Sequence, residues 1–215
     1  MPNWVFNHLS VDGSKEDIAK LKAQVGASIT TRYEGKEEVE KKPIFSFMNI
    51  LPPPADKLDE YYGTHGFADG KKQGDSEYNW YNFNNREWGT KWDACEVELL
   101  EEDETSLHYK FDTAWSSPTQ VIEKLAQQNP NVNMTLEFRE EQGWGAEINF
   151  QGSTTEIIRE WDIPSTHEEE MEANDNYCWR CENFDGDYDD LYDDCPENLK
   201  PIELHAKQDL VLTKE

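Results

Sequence analysis

Residues 88–118, WGTKWDACEVELLEEDETSLHYKFDTAWSSP, set two Trp-rich turns, each with an Asp, around two stretches in which apolar and charged side chains interleave. Interleaving with a period near two is the pattern of a half-buried strand, and the acidic run Glu101 to Thr105 between them reads as a turn. The stretch is therefore expected to form a hairpin, with strands over Trp92–Leu100 and Ser106–Ala114. A helix start follows, Ser117 as N-cap with Pro118 in the first turn, and Val121, Ile122, Leu125 and Ala126 supply its buried stripe. Asn129 and Pro130 end it.

Working outward, Asn3 to Val11 (NWVFNHLSV) alternates and reads as a strand. Ser14 then caps a helix with Asp17 three positions on, and Ile18, Leu21 and Val25 form its apolar face. Downstream, Asn133 to Arg139 (NMTLEFR) puts Met134, Leu136 and Phe138 on one side of a strand, and Trp144 to Phe150 is a shorter strand across the Gly143 turn. Strand, helix, strand, strand, helix, strand is the split βαβ order of a ferredoxin-like α+β sandwich, one sheet covered on one face by two helices. The expected layout is a domain over 1–152, with an insertion over about 27–87, and an extension over 153–215. Inside the insertion, Ile44 to Leu51 closes on three prolines and must lie at an edge or in a packed loop. Gly63 to Asp75, rich in Gly and Lys, is expected to be a mobile loop.

The chain has 215 residues, a mean hydropathy of -0.93 and a formal net charge of -26. Eight Trp, nine Tyr and nine Phe still give enough large apolar surface to fold. No apolar run reaches the roughly 18 residues of a membrane span, and MPNWVFNHLSV lacks the basic start of a signal peptide. A soluble protein in the cytoplasm of a bacterial host cell is expected. A field this negative repels phosphate backbones and attracts basic surfaces, which disfavours direct nucleic-acid binding. From Trp161 to Leu199 there are 14 Asp or Glu against one Arg, so half of the net charge is gathered in that segment.

MPNW, then FSF with PPP behind it, WYNF, WGTKWDA, FDTAWSSP followed by VIEKLA, and EFREEQGWGAEI resemble the ferredoxin-like domain of YubB-type proteins carried by phages and conjugative plasmids. The resemblance covers about residues 1–152. It implies the fold just derived and an accessory role in a mobile genetic element, and it carries over no catalytic residue.

Within the quoted stretch, Asp93 and Asp112 with Lys91 beside aromatic walls are the groups an acid–base enzyme would use. The competing expectation gives Trp88, Trp92, Phe111 and Trp115 to the core and makes the two Asp residues turn caps. A third gives the Trp-lined rim, Trp88, Lys91, Trp92, Asp93, Asp112 and Trp115, to partner recognition, because Trp dominates interface hot spots. Cys95, His8 and His108 fall in strands and are expected to be structural or exposed. No P-loop, GxSxG, HExxH or dinucleotide fingerprint occurs.

In the extension, Cys178 and Cys181 form CWRC and Cys195 follows, with His205 or His167 available to complete a zinc tetrahedron. The alternative there is free thiols, a disulfide being disfavoured in a reducing compartment. Asp185, Asp187 and Asp189 resemble the opening of an EF-hand loop, but Asp190 and Pro196 occupy the positions of its Gly and bidentate Glu, so calcium binding of that type is not expected. Asp185, Asp187, Asp189, Asp190, Asp193 and Asp194, spaced among Phe184, Tyr188, Leu191 and Tyr192, suit imitation of nucleic-acid phosphates instead. The expected function is thus a non-enzymatic, DNA-mimicking inhibitor of a basic, nucleic-acid-binding host defence protein, of the anti-CRISPR kind. The alternatives are a small-ligand or nucleotide-acting enzyme and a zinc-stabilised regulatory module.

Overall fold

The computed structural model describes residues 2–32, 38–63, 76–173, 177–178, 181 and 191–196. The chain divides into two compact units, Met1–Asp162 and Ile163–Glu215. In the first, β1 (Trp4–Asp12) leads to α1 (Lys15–Val25), then to a two-stranded sheet of β2 (Ile29–Thr31) and β3 (Val39–Lys41). Short helical turns follow, among them α2 (Leu58–Tyr61), α3 (Trp80–Phe83) and a π turn over Asn84–Trp88. Next come β4 (Cys95–Glu102), β5 (Ser106–Ala114), α4 (Thr119–Gln128), β6 (Asn133–Glu140), β7 (Gly145–Gln151) and β8 (Thr154–Trp161). The main sheet runs β4-β5-β1-β6-β7-β8 with every neighbour antiparallel. Its first four strands have the ferredoxin-like order.

The alternation read from the sequence is what builds it. Val5, Leu9 and Val11 of β1, Leu107, Tyr109 and Phe111 of β5, and Met134 and Leu136 of β6 are at most 1% exposed. They face Ile18, Leu21 and Val25 of α1 and Val121, Ile122 and Leu125 of α4 in one core. The Ser14 hydroxyl accepts the Asp17 N–H and carries the expected cap of α1. At α4 the cap is Pro118 instead of Ser117, whose hydroxyl bonds that of Thr119, so the helix begins one residue later than expected.

Ile44 to Leu51 takes the second of its two expected forms, a packed loop: Phe45 and Phe47 are buried, and Phe47–Asn49 forms a 3-10 turn capped by Ser46. Two differences from the sequence reading are physical. The β2–β3 pair, three residues each and mostly exposed, had no alternation to announce it. β8 lies beyond residue 152, where the first domain was expected to end, because its residues are exposed along nearly the whole strand and leave no period-two signature. Glycine-rich 64–75 lies outside the described residues. Among those described, no helix is long and apolar enough to cross a membrane.

Candidate functional site

The two Trp-rich turns of the quoted stretch are tied to each other. Thr90 donates to the Ala114 carbonyl, Ser116 to the Gly89 carbonyl, and Thr113 to the Ser116 carbonyl. Gly89 closes the π turn at φ 82, a backbone conformation that favours glycine, with the end of the flexible Gln120 side chain lying where a Cβ would be. Trp88 points inward, 1% exposed, its indole N–H donating to the Leu51 carbonyl. Expected among the partner contacts, it belongs to the core, because the π turn aims its side chain under the sheet. Trp115 does the opposite. It adopts φ 74, unusual for any residue but glycine, keeps its N–H on the Asn3 carbonyl, and is 51% exposed.

Asp93 turns toward the Phe45–Asn49 loop, where its carboxylate accepts the Ser46 hydroxyl, the Phe47 N–H at 2.7 Å and the Ala94 N–H at 2.8 Å. Burial raises its pKa against the pull of those hydrogen bonds. It is the cap its residue type allowed, placed on a different loop from the one sequence suggested. Asp112 stands on β5 opposite Phe6 of β1 and Cys95 of β4, and burial raises it too. Among the described residues no hydrogen bond joins the two Asp residues. Cys95 feels both carboxylates, and burial together with them pushes its thiol up, away from the thiolate a nucleophile needs.

Lys91 lies over the Trp92 ring at 5.0 Å and near Tyr81 at 5.9 Å, and Trp92 contacts Trp4 at 5.9 Å between centroids. Trp4 opens the face of the sheet turned away from α1 and α4. Along that face Phe6 is 43% exposed, and the Nδ1 of His8 lies 3.1 Å from the Nε2 of His108, so one ring donates to the other. Burial and then His108 hold His8 below the ordinary histidine pKa. The strand registers put seven carboxylates on this face, Asp12, Glu98, Glu101, Asp112, Glu137, Glu147 and Glu156, against the cations Lys110, Arg139 and Arg159. The face is therefore net negative with an aromatic corner.

A cavity of about 800 Å³ opens beside the quoted stretch. Trp80, Trp88, Trp92, Tyr61 and Tyr62 give it an aromatic wall, and Arg32, Lys41 and Lys42 bring cations to it. Arg32 sits 5.4 Å from the Tyr62 ring centroid and pairs with Asp59. Burial raises the phenols of Tyr61 and Tyr62, keeping both as neutral donors. Sequence reasoning missed this cavity. Its cations come from a segment without periodicity, and only the crowding of Lys41 and Lys42 before Pro43 hinted at them.

The described part of the second unit includes a short helix, α5 (His167–Ala173). Cys181 and Cys195, expected as free thiols or zinc ligands, are joined as a disulfide across Cα atoms 7.0 Å apart, while Cys178 is buried and free. His167 Nδ1 and the two sulfurs lie within 4.8 Å of one another. His205, Asp185, Asp187, Asp189 and Asp190 lie outside the described residues. Asp193 and Asp194 are both exposed, and the Asp194 carboxylate accepts the His167 and Glu168 N–H groups, so it caps α5.

A six-stranded antiparallel sheet in ferredoxin-like order over two helices makes the chain a ferredoxin-like α+β protein. Residues 87–177 match the family described as ferredoxin-like domain in Api92-like protein, a span that takes in the quoted stretch and β4 to β8. The crystal structure of protein api92 from Yersinia pseudotuberculosis is similar with a TM-score of 0.50 and 8% identity, over 76% of this chain and 99% of that one. That likeness is one of fold. No curated protein matches the chain.

Proposed function

We propose that the protein is a non-enzymatic, YubB-type accessory protein of a phage or conjugative plasmid that binds and inhibits a basic, nucleic-acid-binding component of a host defence system. The observation that carries this reading is the face of the main sheet turned away from α1 and α4, where seven carboxylates outnumber three cations beside an exposed aromatic corner. Carboxylates steer a basic partner and compete with phosphate for its Lys and Arg. Trp115 and Phe6 supply the apolar area that steering alone lacks. Chain-wide charge of -26 extends the attraction.

The test is retention of bacterial lysate proteins on the tagged chain at about 0.05 M and about 0.5 M salt, with mass spectrometry of the eluates. A basic nucleic-acid-binding protein is expected at low salt, shed at high salt, and weakened at least tenfold by the double charge reversal E137K/E147K. Retention indifferent to salt and to the reversal rejects the proposal.

The cavity favours a second reading, a small anionic aromatic ligand such as a nucleotide, held by stacking on Trp or Tyr with Arg32, Lys41 and Lys42 on its phosphates. Calorimetric titration with nucleoside mono-, di- and triphosphates addresses it. Binding weakened about tenfold by Arg32→Ala, about the loss of one charged contact, supports a ligand site; no heat with any of the three removes it.

A further inference from the structure

We propose that the second unit is a zinc module in which His167, Cys181 and Cys195, with Cys178 as the fourth donor, hold one metal ion. The argument begins with how the ligand-bearing segments are held. Thr166 accepts the Glu169 N–H and fixes the first turn of α5. Asp194 then accepts the N–H groups of His167 at 2.7 Å and Glu168 at 3.2 Å, which ties the backbone of one ligand to the residue beside another. The Tyr192 hydroxyl donates to the Pro164 carbonyl, and the Cys195 N–H to the Tyr192 carbonyl. None of these bonds involves sulfur. They bring His167 and Cys195 together whatever the thiols do.

The donor set has zinc's chemistry, and its His167–Cys181 pair has zinc's spacing. Zinc bonds of about 2.0–2.3 Å to nitrogen and sulfur put neighbouring tetrahedral donors roughly 3.4–3.8 Å apart. His167 Nδ1 is 3.4 Å from the Cys181 sulfur. Cys195 is fully buried and Cys178 is 2% exposed, as in closed structural sites. Cys178 lies outside the three-atom cluster, three residues before Cys181, the spacing with which a CxxC knuckle delivers two thiolates.

The rival state is the Cys181–Cys195 disulfide. Its Cα separation of 7.0 Å is at the long edge of what a disulfide spans, and is ample for two thiolates on one metal. A disulfide also uses only two of the four groups. It leaves a buried Cys178 thiol and an imidazole facing the Cys181 sulfur with no task. Zinc employs all four; in the reduced chain it displaces the three thiol protons to solvent as it binds. Among the described residues of this unit, two of the four buried side chains, Cys178 and Cys195, are members of the donor set. The histidine of this assignment is His167; His205, the other that the sequence offered, lies outside the described residues.

The experiment uses the full chain, purified with a phosphine reductant and no chelator. Elemental analysis is expected to give one zinc per chain, and cobalt substitution to give the visible bands of a tetrahedral thiolate site. Cys181→Ser and Cys195→Ser should lose the metal, His167→Ala should bind it at least tenfold more weakly, and His205→Ala should keep it. Because zinc content and cobalt spectrum are read on the unaltered chain, a variant that fails to fold does not spare the proposal. Absence of zinc and of thiolate-to-cobalt bands overturns it, as does a persistent Cys181–Cys195 bridge under reductant. Loss of metal in His205→Ala with retention in His167→Ala overturns the ligand assignment.

Discussion

Trp88→Ala is expected to destabilise the first unit by about 5 kcal/mol, the largest effect of any single substitution in the quoted stretch. The indole is the largest fully buried side chain among the described residues and packs on Phe47 and Phe83 at centroid distances of 5.7 and 6.2 Å. Truncating a buried Trp costs about 3–5 kcal/mol through lost transfer energy and the cavity left behind. The Leu51 carbonyl also loses the 2.9 Å hydrogen bond it receives from the indole, which adds about 1 kcal/mol or more. Typical domains hold only about 5–15 kcal/mol, so the variant should unfold at much lower urea and melt about 10 °C earlier. Trp115→Ala is the control. With half of that side chain in solvent, its loss should cost no more than about 1 kcal/mol, and equal costs at the two sites would refute the division of roles.

Asp93→Ala is expected to cost about 3 kcal/mol. It strips the acceptor from three donors at once, the Ser46 hydroxyl and the Phe47 and Ala94 N–H groups, all in partly buried surroundings where water is a poor substitute. Ser46 also caps the Phe47–Asn49 turn through the Met48 N–H, so the loop that carries Phe45 and Phe47 into the core loosens with it. Asp93→Asn keeps one carbonyl oxygen for the two N–H groups and can turn its amide toward Ser46. It also removes a charge that burial disfavours, so its cost should stay near 1 kcal/mol. Equilibrium unfolding of the pair separates two roles. A structural cap predicts that Ala is far worse than Asn. A proton-transfer group predicts little stability change in either variant, with activity lost in both.

Much of the fold was legible because its signals are local. Met134, Leu136 and Phe138 alternate with polar residues and are all buried, and Ser14 with Asp17 marked the start of α1 where the structure has it. β8 was not legible, since an edge strand exposed along nearly its whole length needs no alternation; what makes it a strand is the β7 edge waiting to be paired. The candidate site was less legible than the fold. Trp88 and Trp115 sit in sibling turns with similar neighbours, yet one is core and the other surface, because a π turn and a left-handed backbone point them in opposite directions.

From its sequence alone this protein is ferredoxin-like, acidic throughout with half its net charge near the end, and supplied with a CxxC pair that invites a metal. These are properties of composition and of neighbours a few residues apart. Tertiary structure alone decided that Asp93 serves the Phe47 loop, that Arg32, Lys41 and Lys42 share a cavity with Trp92, and that His167 stands with Cys181 and Cys195. Each of these joins groups brought together by chain closure. Such contacts depend on distances in space that neither periodicity nor spacing along the chain encodes.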